Sequence, residues 1–282
     1  MHALARVLAF FMRYGLHYRV RVARDNLARA LPGQAARERE RVLWLHYLRL
    51  AEVLLELPRL AVIERAELAL RVPVHGIEAI QAELAAGRSV LMLSAHLSNW
   101  EWLLQAVAAQ VRVPFLAAYK PPHSASADRQ MLALRSRFGA RLIPAKRLLR
   151  EIARARGAVH AVGMVADQMP TSSAGRLWLK FLGRDTAFFP GPGEIARLGR
   201  YTCFVMAQRR EGPGRYSVDC LPLTAPGELL EPADLIARYA STLEQLVRRH
   251  PEEWAWTHRR WKLAPPAALP PATPADAPGQ SP

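Results

Sequence analysis

The sequence predicts an α/β protein with a mixed, largely parallel sheet covered by helices and a helical region ahead of it. Three observations carry this. From about residue 77, short apolar runs alternate with amphipathic helical stretches. The runs are continuously apolar, as strands buried on both faces must be. Residues 34–70 read as helical, polar at first ("GQAARERERV") and then leucine-rich. With 282 residues, 51% of them hydrophobic, the chain can bury a sizeable core.

Taken in order, the start "MHALARVLAFFMRYG" holds a short apolar run broken by Arg6. It is too short for a bilayer span, which needs roughly 18 to 20 apolar residues, and it lacks a signal-peptide cleavage site. Wound as a helix, Leu4, Val7, Leu8 and Phe11 share a face, with Arg6 and Arg13 opposite. That pattern suits a helix lying in a membrane interface or one packed on the protein's own core. Helix "IEAIQAELAAG" stops at Gly87, a natural C-terminal cap, and strand "SVLMLSA" follows. A helix from about Ser98 leads to strand "VPFLAAY", helix "SADRQMLALRSRFG" and strand "ARLIP". Then come helix "KRLLREIARARG", strand "AVHAVGMVAD", helix "GPGEIARLGR", strands "TCFVMAQRR" and "RYSVDCLPL", and the long helix "PADLIARYASTLEQLVRRH". Residues 264–282 have seven prolines in nineteen positions and no aromatic, so a disordered tail is expected. The organisation is thus an amphipathic segment at 1–33, a folded domain at 34–263 and the tail.

The net charge is +15, from 39 Lys and Arg against 24 Asp and Glu, and only four of the cations are lysine. Guanidinium groups suit a phosphorylated lipid, an acidic protein or nucleic acid. Nucleic acid is disfavoured, because arginines occur along the whole chain and no recognised binding motif gathers them. Cys203 and Cys220 form neither a disulfide framework nor a CxxC site, which points to a reducing compartment. No phosphate-binding glycine loop is present, and the histidines are too scattered to suggest a metal.

The chemistry concentrates in "SVLMLSAHLSNWEWL", residues 89–103. His96 falls just past the C-terminal end of a buried strand, where open α/β sheets bind ligands. Glu101 follows five residues later. It reads either as the last member of a capping box begun by Ser98 or as the carboxylate that orients His96 as a general base. Asp167 ends another strand at the same sheet edge, as a ligand-ordering group or as a turn aspartate. Lys120 follows a third strand. Trp254, Trp256 and Trp261 sit beside Arg259, Arg260 and Lys262, as headgroup-layer anchors or as core residues.

The run "SAHLSNWEW" resembles the bacterial lipid A lauroyl/myristoyl acyltransferase family, whose signature is His, four residues and an acid. In order along the chain, "NLARALP", "AYKPP", "RSRFGARLIP", "VADQ", "FLGRDTAF" and "HPEEWAWTHRRWK" also resemble that family. The likeness covers nearly everything before the tail. It implies a glycerolipid-acyltransferase-like fold and transfer of a fatty acyl group from an acyl carrier protein to a hydroxyl of a phosphorylated glycolipid. An alternative acceptor is another glycolipid or a lysophospholipid. No cofactor or metal is implied. By this resemblance His96 is the base, Glu101 its orienter, and Arg135, with Arg137 second, the oxyanion or phosphate contact. Asn99, Lys120 and Asp167 are further substrate-binding candidates, and "FLGRDTAFF" offers rings to an acyl chain or to simple core packing. The implied location is the cytoplasmic face of the inner membrane, on an anionic lipid surface. The chain departs from the family in having Ser98 where Gly is usual, Met169 where an acid is common, and a shortened or absent N-terminal transmembrane helix.

Overall fold

A computed structural model describes residues 2–170 and 175–265. The expected tail therefore lies almost wholly outside the described residues. Helix α1 (His2–Phe10) runs into a π-turn at Phe11–Gly15, followed by α2 (Val20–Ala30) and α3 (Ala36–Glu56). Then come α4 (Arg65–Arg71), β1 (Val74–His75), α5 (Ile77–Ala85), β2 (Val90–Ser94), α6 (Trp100–Ala108) and β3 (Phe115–Tyr119). Next are α7 (Ala125–Arg135), β4 (Ala140–Pro144), α8 (Leu148–Arg154) and β5 (Ala161–Val165). A hairpin of β6 (Leu177–Phe181) and β7 (Arg184–Phe188) precedes α9 (Gly191–Gly199), β8 (Thr202–Gly212), β9 (Arg215–Pro222) and α10 (Pro232–Arg249).

The main sheet has the order β1-β9-β8-β2-β5-β3-β4, and every pairing in it except β8–β9 is parallel. This is the mixed, largely parallel sheet expected. Central β2 explains the continuous apolar run. Leu91 and Leu93 face a core shared with Leu235, Tyr239 and Leu243 of α10. Val90 and Met92 face a second core with Ile80 of α5 and Trp102 and Leu103 of α6. Both faces are dry, so neither parity along the strand tolerates a polar side chain.

Two motifs that the sequence leaves open between surface and core are decided here. The aromatic rings of "FLGRDTAFF" do not all await a ligand: the segment is a hairpin turned by Leu182 and Gly183, both at positive φ. Phe181 and Phe188 are fully buried, with Phe181 against the edge of Trp254. Only Phe189 is exposed. Of the two readings of the tryptophans near the C-terminal end, Trp254 and Trp256 take that of core residues. Trp254 and Trp256 are buried and meet edge-on at 4.8 Å, and Arg260 is buried with its Nη1 donating to Ala187 O. The composition is the same for either role; only the surrounding shell of Phe181, Phe188 and α10 decides it.

The N-terminal helix follows a third course. It packs on α3 through Ala5, Ala9 and Met12, while Leu4, Val7, Phe10 and Phe11 face outward. Arg13, placed by a regular helical wheel on the polar side, is buried and paired with Glu40. The π-turn adds a residue to the turn and rotates Arg13 toward α3, a shift that a 3.6-residue period cannot foresee.

Candidate active site

Parallel strands bring their C-terminal ends to one edge. Ser94 pairs with Val165, so His96 and Asp167 each lie two residues beyond the same rung. The Asp167 carboxylate accepts from His96 Nδ1 at 2.7 Å and from the His96 backbone N–H at 3.0 Å. Its second oxygen also accepts from Trp254 Nε1 at 2.9 Å. The acid therefore fixes the imidazole in ring plane and tautomer, leaving Nε2 as the free base. Gln168 Nε2 lies 3.1 Å from that nitrogen. The Trp100 ring meets His96 edge-on at 5.0 Å.

Burial opposes charge on His96, but the neighbouring Asp167 carboxylate outweighs it and holds the imidazole above its ordinary pKa. Burial likewise opposes ionisation of Asp167, yet the His96 charge and the three donated hydrogen bonds bring it down to about 2. Each partner favours the other's charged form, as in an ion pair.

Glu101 occupies a different position from the expected one. Both its oxygens go to Arg135, at 2.8 Å from Nε and 2.5 Å from Nη2, and one also accepts from Trp100 Nε1 at 3.2 Å. It neither caps the helix nor touches the His96 ring. Asn99 is the N-cap of α6: its Oδ1 accepts from Trp102 N, and its Nδ2 donates to Glu56 at 2.8 Å. Asn99 is wholly buried, with both ends of its amide committed to α6 and Glu56. Ser98, the expected cap, instead stands at φ +53 and donates its backbone N–H to Glu253 O. A left-handed residue there explains why glycine suits this position in the family pattern. The capping box fails because the helix starts one residue later than the motif suggests.

Of the other candidates, Arg135 and Lys120 line a cavity of about 490 Å³ together with His96, Glu101 and Gln168. Arg135 spends Nε and Nη2 on Glu101, and its Nη1 makes no hydrogen bond among the described residues. Arg137 is elsewhere. It donates to the carbonyls of Leu60 and Ile63 and lies over Phe138, tying down the segment before α4. The rest of the cavity is mostly apolar, with Leu103, Leu104 and Val107 from α6, Phe115 from β3, Leu142 from β4 and Phe189. Gly163 forms part of its wall. A Cβ there would come within 2.8 Å of the Phe115 ring, so glycine lets that ring lie flat on the sheet.

Gln168 and Trp100 are not among the sequence candidates, and Trp254 is there without this role. The first two lie in quoted motifs beside singled-out residues. Trp254 was visible only as an aromatic among charges, and nothing local announces a hydrogen bond to an aspartate 87 positions away.

The model of the bacterial lipid A biosynthesis acyltransferase family matches residues 1–263, and the chain belongs to that family. No curated protein matches it. The family makes the protein an acyltransferase of lipid A biosynthesis.

Proposed function

We propose that this family member transfers a fatty acyl group from an acyl carrier protein thioester to a hydroxyl of a lipid A precursor, at the cytoplasmic face of the inner membrane. One observation carries the reading: a histidine held by a buried aspartate faces, through its second nitrogen, a largely apolar cavity. The acceptor hydroxyl gives its proton to His96 Nε2 as its oxygen attacks the thioester carbonyl carbon. The carbonyl π pair moves onto oxygen. Collapse of the tetrahedral species breaks the C–S bond, and the thiolate takes the proton back from the imidazolium. The Asp167 carboxylate stabilises the imidazolium in between. Gln168 yields its place on Nε2 to the acceptor hydroxyl. The uncommitted Nη1 of Arg135, oriented by Glu101, is suited to the developing oxyanion or to a phosphate oxygen. No nucleophilic side chain is required.

Surface chemistry supports membrane attachment at the N-terminal end. Leu4, Val7, Phe10, Phe11 and Leu16 are all more than half exposed, with the exposed Arg6 among them. No described helix is long and apolar enough to cross a membrane. An interfacial helix needs only such a face plus cations. Val7→Asp with Phe11→Asp is expected to weaken binding to anionic vesicles in a flotation assay without loss of fold. Unchanged binding would remove this face from the model of attachment.

The function itself is tested with purified protein, acyl-loaded carrier protein and a lipid A precursor, followed by mass spectrometry. The expected product is the precursor heavier by one acyl group. Absence of that product, with acylation of a lysophospholipid in its place, would overturn the acceptor.

A further inference from the structure

Arginines occur throughout the chain, but the excess positive charge does not. Residues 120–156 hold ten Lys and Arg and only two acids, Asp128 and Glu151. That is a net +8 of the total +15 within one stretch of 37 residues. Several of these cations are committed: Arg135 to Glu101, Arg137 to backbone carbonyls, and Arg141 and Arg154 to Glu151. The other six are exposed and form no ion pair or side-chain hydrogen bond among the described residues. They are Lys120, Arg129, Lys146, Arg147, Arg150 and Arg156. A fold that leaves six neighbouring cations without partners retains a repulsion that neutral side chains would avoid.

Their placement is specific. β3 and β4 run parallel to β2, so their C-terminal ends lie at the active edge. Lys120 directly follows β3 and lines the cavity with Tyr119. Ala145, next after β4, also lines it, and Lys146, Arg147 and Arg150 lead away from that rim. Within this group Leu149 is 52% exposed. Arg129 lies on α7, which has no buried residue along its eleven positions. The rim therefore presents a helix with no fully buried residue and a basic, one-leucine face beside the opening. The apolar surface suited to lipid belongs to α1 and its π-turn, on separate elements.

We infer that this face, built from Lys146, Arg147 and Arg150 around Leu149 with Arg129 on α7, docks the acidic surface of the protein that carries the acyl thioester. The inference rests on the donor proposed above and adds where that donor sits. A carrier that delivers its acyl chain on a flexible arm must rest beside the cavity mouth, not inside it. Unpaired cations distributed over two helices match a row of carboxylates on a protein better than one converging phosphate. Leu149 supplies a desolvated contact amid the charges. Such a surface acts through encounter rate and affinity, so it should be strongly salt-sensitive.

The test uses the full chain with Lys146→Glu, Arg147→Glu and Arg150→Glu combined. Three readouts are compared: transfer from acyl carrier protein, transfer from acyl-pantetheine that lacks the protein, and direct binding of acyl carrier protein by fluorescence anisotropy. We expect carrier binding to weaken, and KM for the carrier-borne donor to rise, by roughly 10-fold or more at low salt. The gap to wild type should close as salt is added, with acyl-pantetheine turnover unchanged. Normal carrier binding in the variant would overturn the docking face even if vesicle or DNA binding fell, since those losses assign the cations to a membrane or a nucleic acid. Wild-type enzyme that takes acyl groups from neither donor would refute the donor reading itself, whereas wild-type transfer from the carrier with an unaffected variant refutes only the surface.

Discussion

Asp167 and Glu101 are both buried carboxylates at the active edge, 3% and 5% exposed, and both are ionic partners there. Asp167 holds a histidine, while Glu101 holds an arginine. The sequence motif pairs His96 with Glu101, but the sheet pairs it with Asp167, because adjacent parallel strands at one rung outrank a five-residue spacing. The difference separates two tasks. One acid tunes and orients a base that must gain and lose a proton. The other fixes a permanent cation in the cavity wall.

The largest expected effects fall on the first pair. His96→Ala should abolish measurable acyl transfer; because it also strips the buried Asp167 of its ionic partner, the loss is read at matched folding. Asp167→Asn should reduce kcat on the order of 100-fold or more, because an amide can neither select the tautomer nor stabilise the imidazolium. The pH profile gives the sign independently. His96 must be neutral to act, so with its pKa raised the acid limb of kcat/KM should lie above the ordinary histidine value of 6.5. Asp167→Asn should move that limb to lower pH while lowering its plateau. A limb that stays in place would mean another group titrates in the rate.

Glu101→Gln comes next and decides whether the two carboxylates differ as described. Glutamine can still accept one hydrogen bond from Arg135 but loses the charge, leaving a mostly buried guanidinium underpaired. A stability loss of about 1–3 kcal/mol by urea unfolding is expected. The rate loss should be about 10-fold, smaller than for Asp167→Asn, and should act on the same pH profile without displacing it far. Equal damage to kcat from both variants at matched folding would show that Glu101 belongs to the base after all.

Much of this was legible in the sequence. The continuous apolar run of 90–93 announced a strand covered on both faces, and His96 past its end announced the ligand edge. His96, Asp167 and Lys120 can be read off as residues just past strand ends, which converge in a parallel sheet, whereas Arg135, at the end of α7, was singled out only through the resemblance. Pairings across that edge were not legible. Which acid meets which base depends on strand order, and the order 8-2-5-3-4 places β5, not α6, beside His96. Arg137 was misplaced for a related reason: two residues of helix end turn a side chain from the cavity to the Leu60 carbonyl. The Trp254 indole was invisible because its composition is equally that of a headgroup anchor.

That indole gives a smaller effect in a defined direction. Trp254→Phe removes one donor from Asp167 and keeps most of the ring packing. Stability should fall by about 2 kcal/mol, the usual size for a hydrogen bond to a charged group. A carboxylate with one donor fewer concentrates its charge on His96, so the acid limb should move to higher pH. Displacement toward lower pH would mean that the indole acts on the imidazole by some route other than Asp167.

The smallest expected effect concerns the loop between His96 and Glu101. If Ser98 were the cap of α6, Ser98→Ala would cost about 1 kcal/mol. Its hydroxyl makes no hydrogen bond to the helix, and Asn99 holds the cap, so that loss is not expected from capping. What Ser98 carries is a left-handed backbone at φ +53. Glycine adopts that conformation without a Cβ penalty, whereas alanine gains nothing over serine. Ser98→Gly should therefore be neutral to stabilising, by up to about 1 kcal/mol, and Ser98→Ala close to neutral. Activity should be unchanged in both, because the Ser98 N–H to Glu253 O bond is a backbone contact that either residue can make. Thermal melts of the three proteins side by side decide it. A glycine variant less stable than the alanine one would show that the loop is not held in the left-handed conformation, and that the separation of His96 from Glu101 rests on the serine hydroxyl.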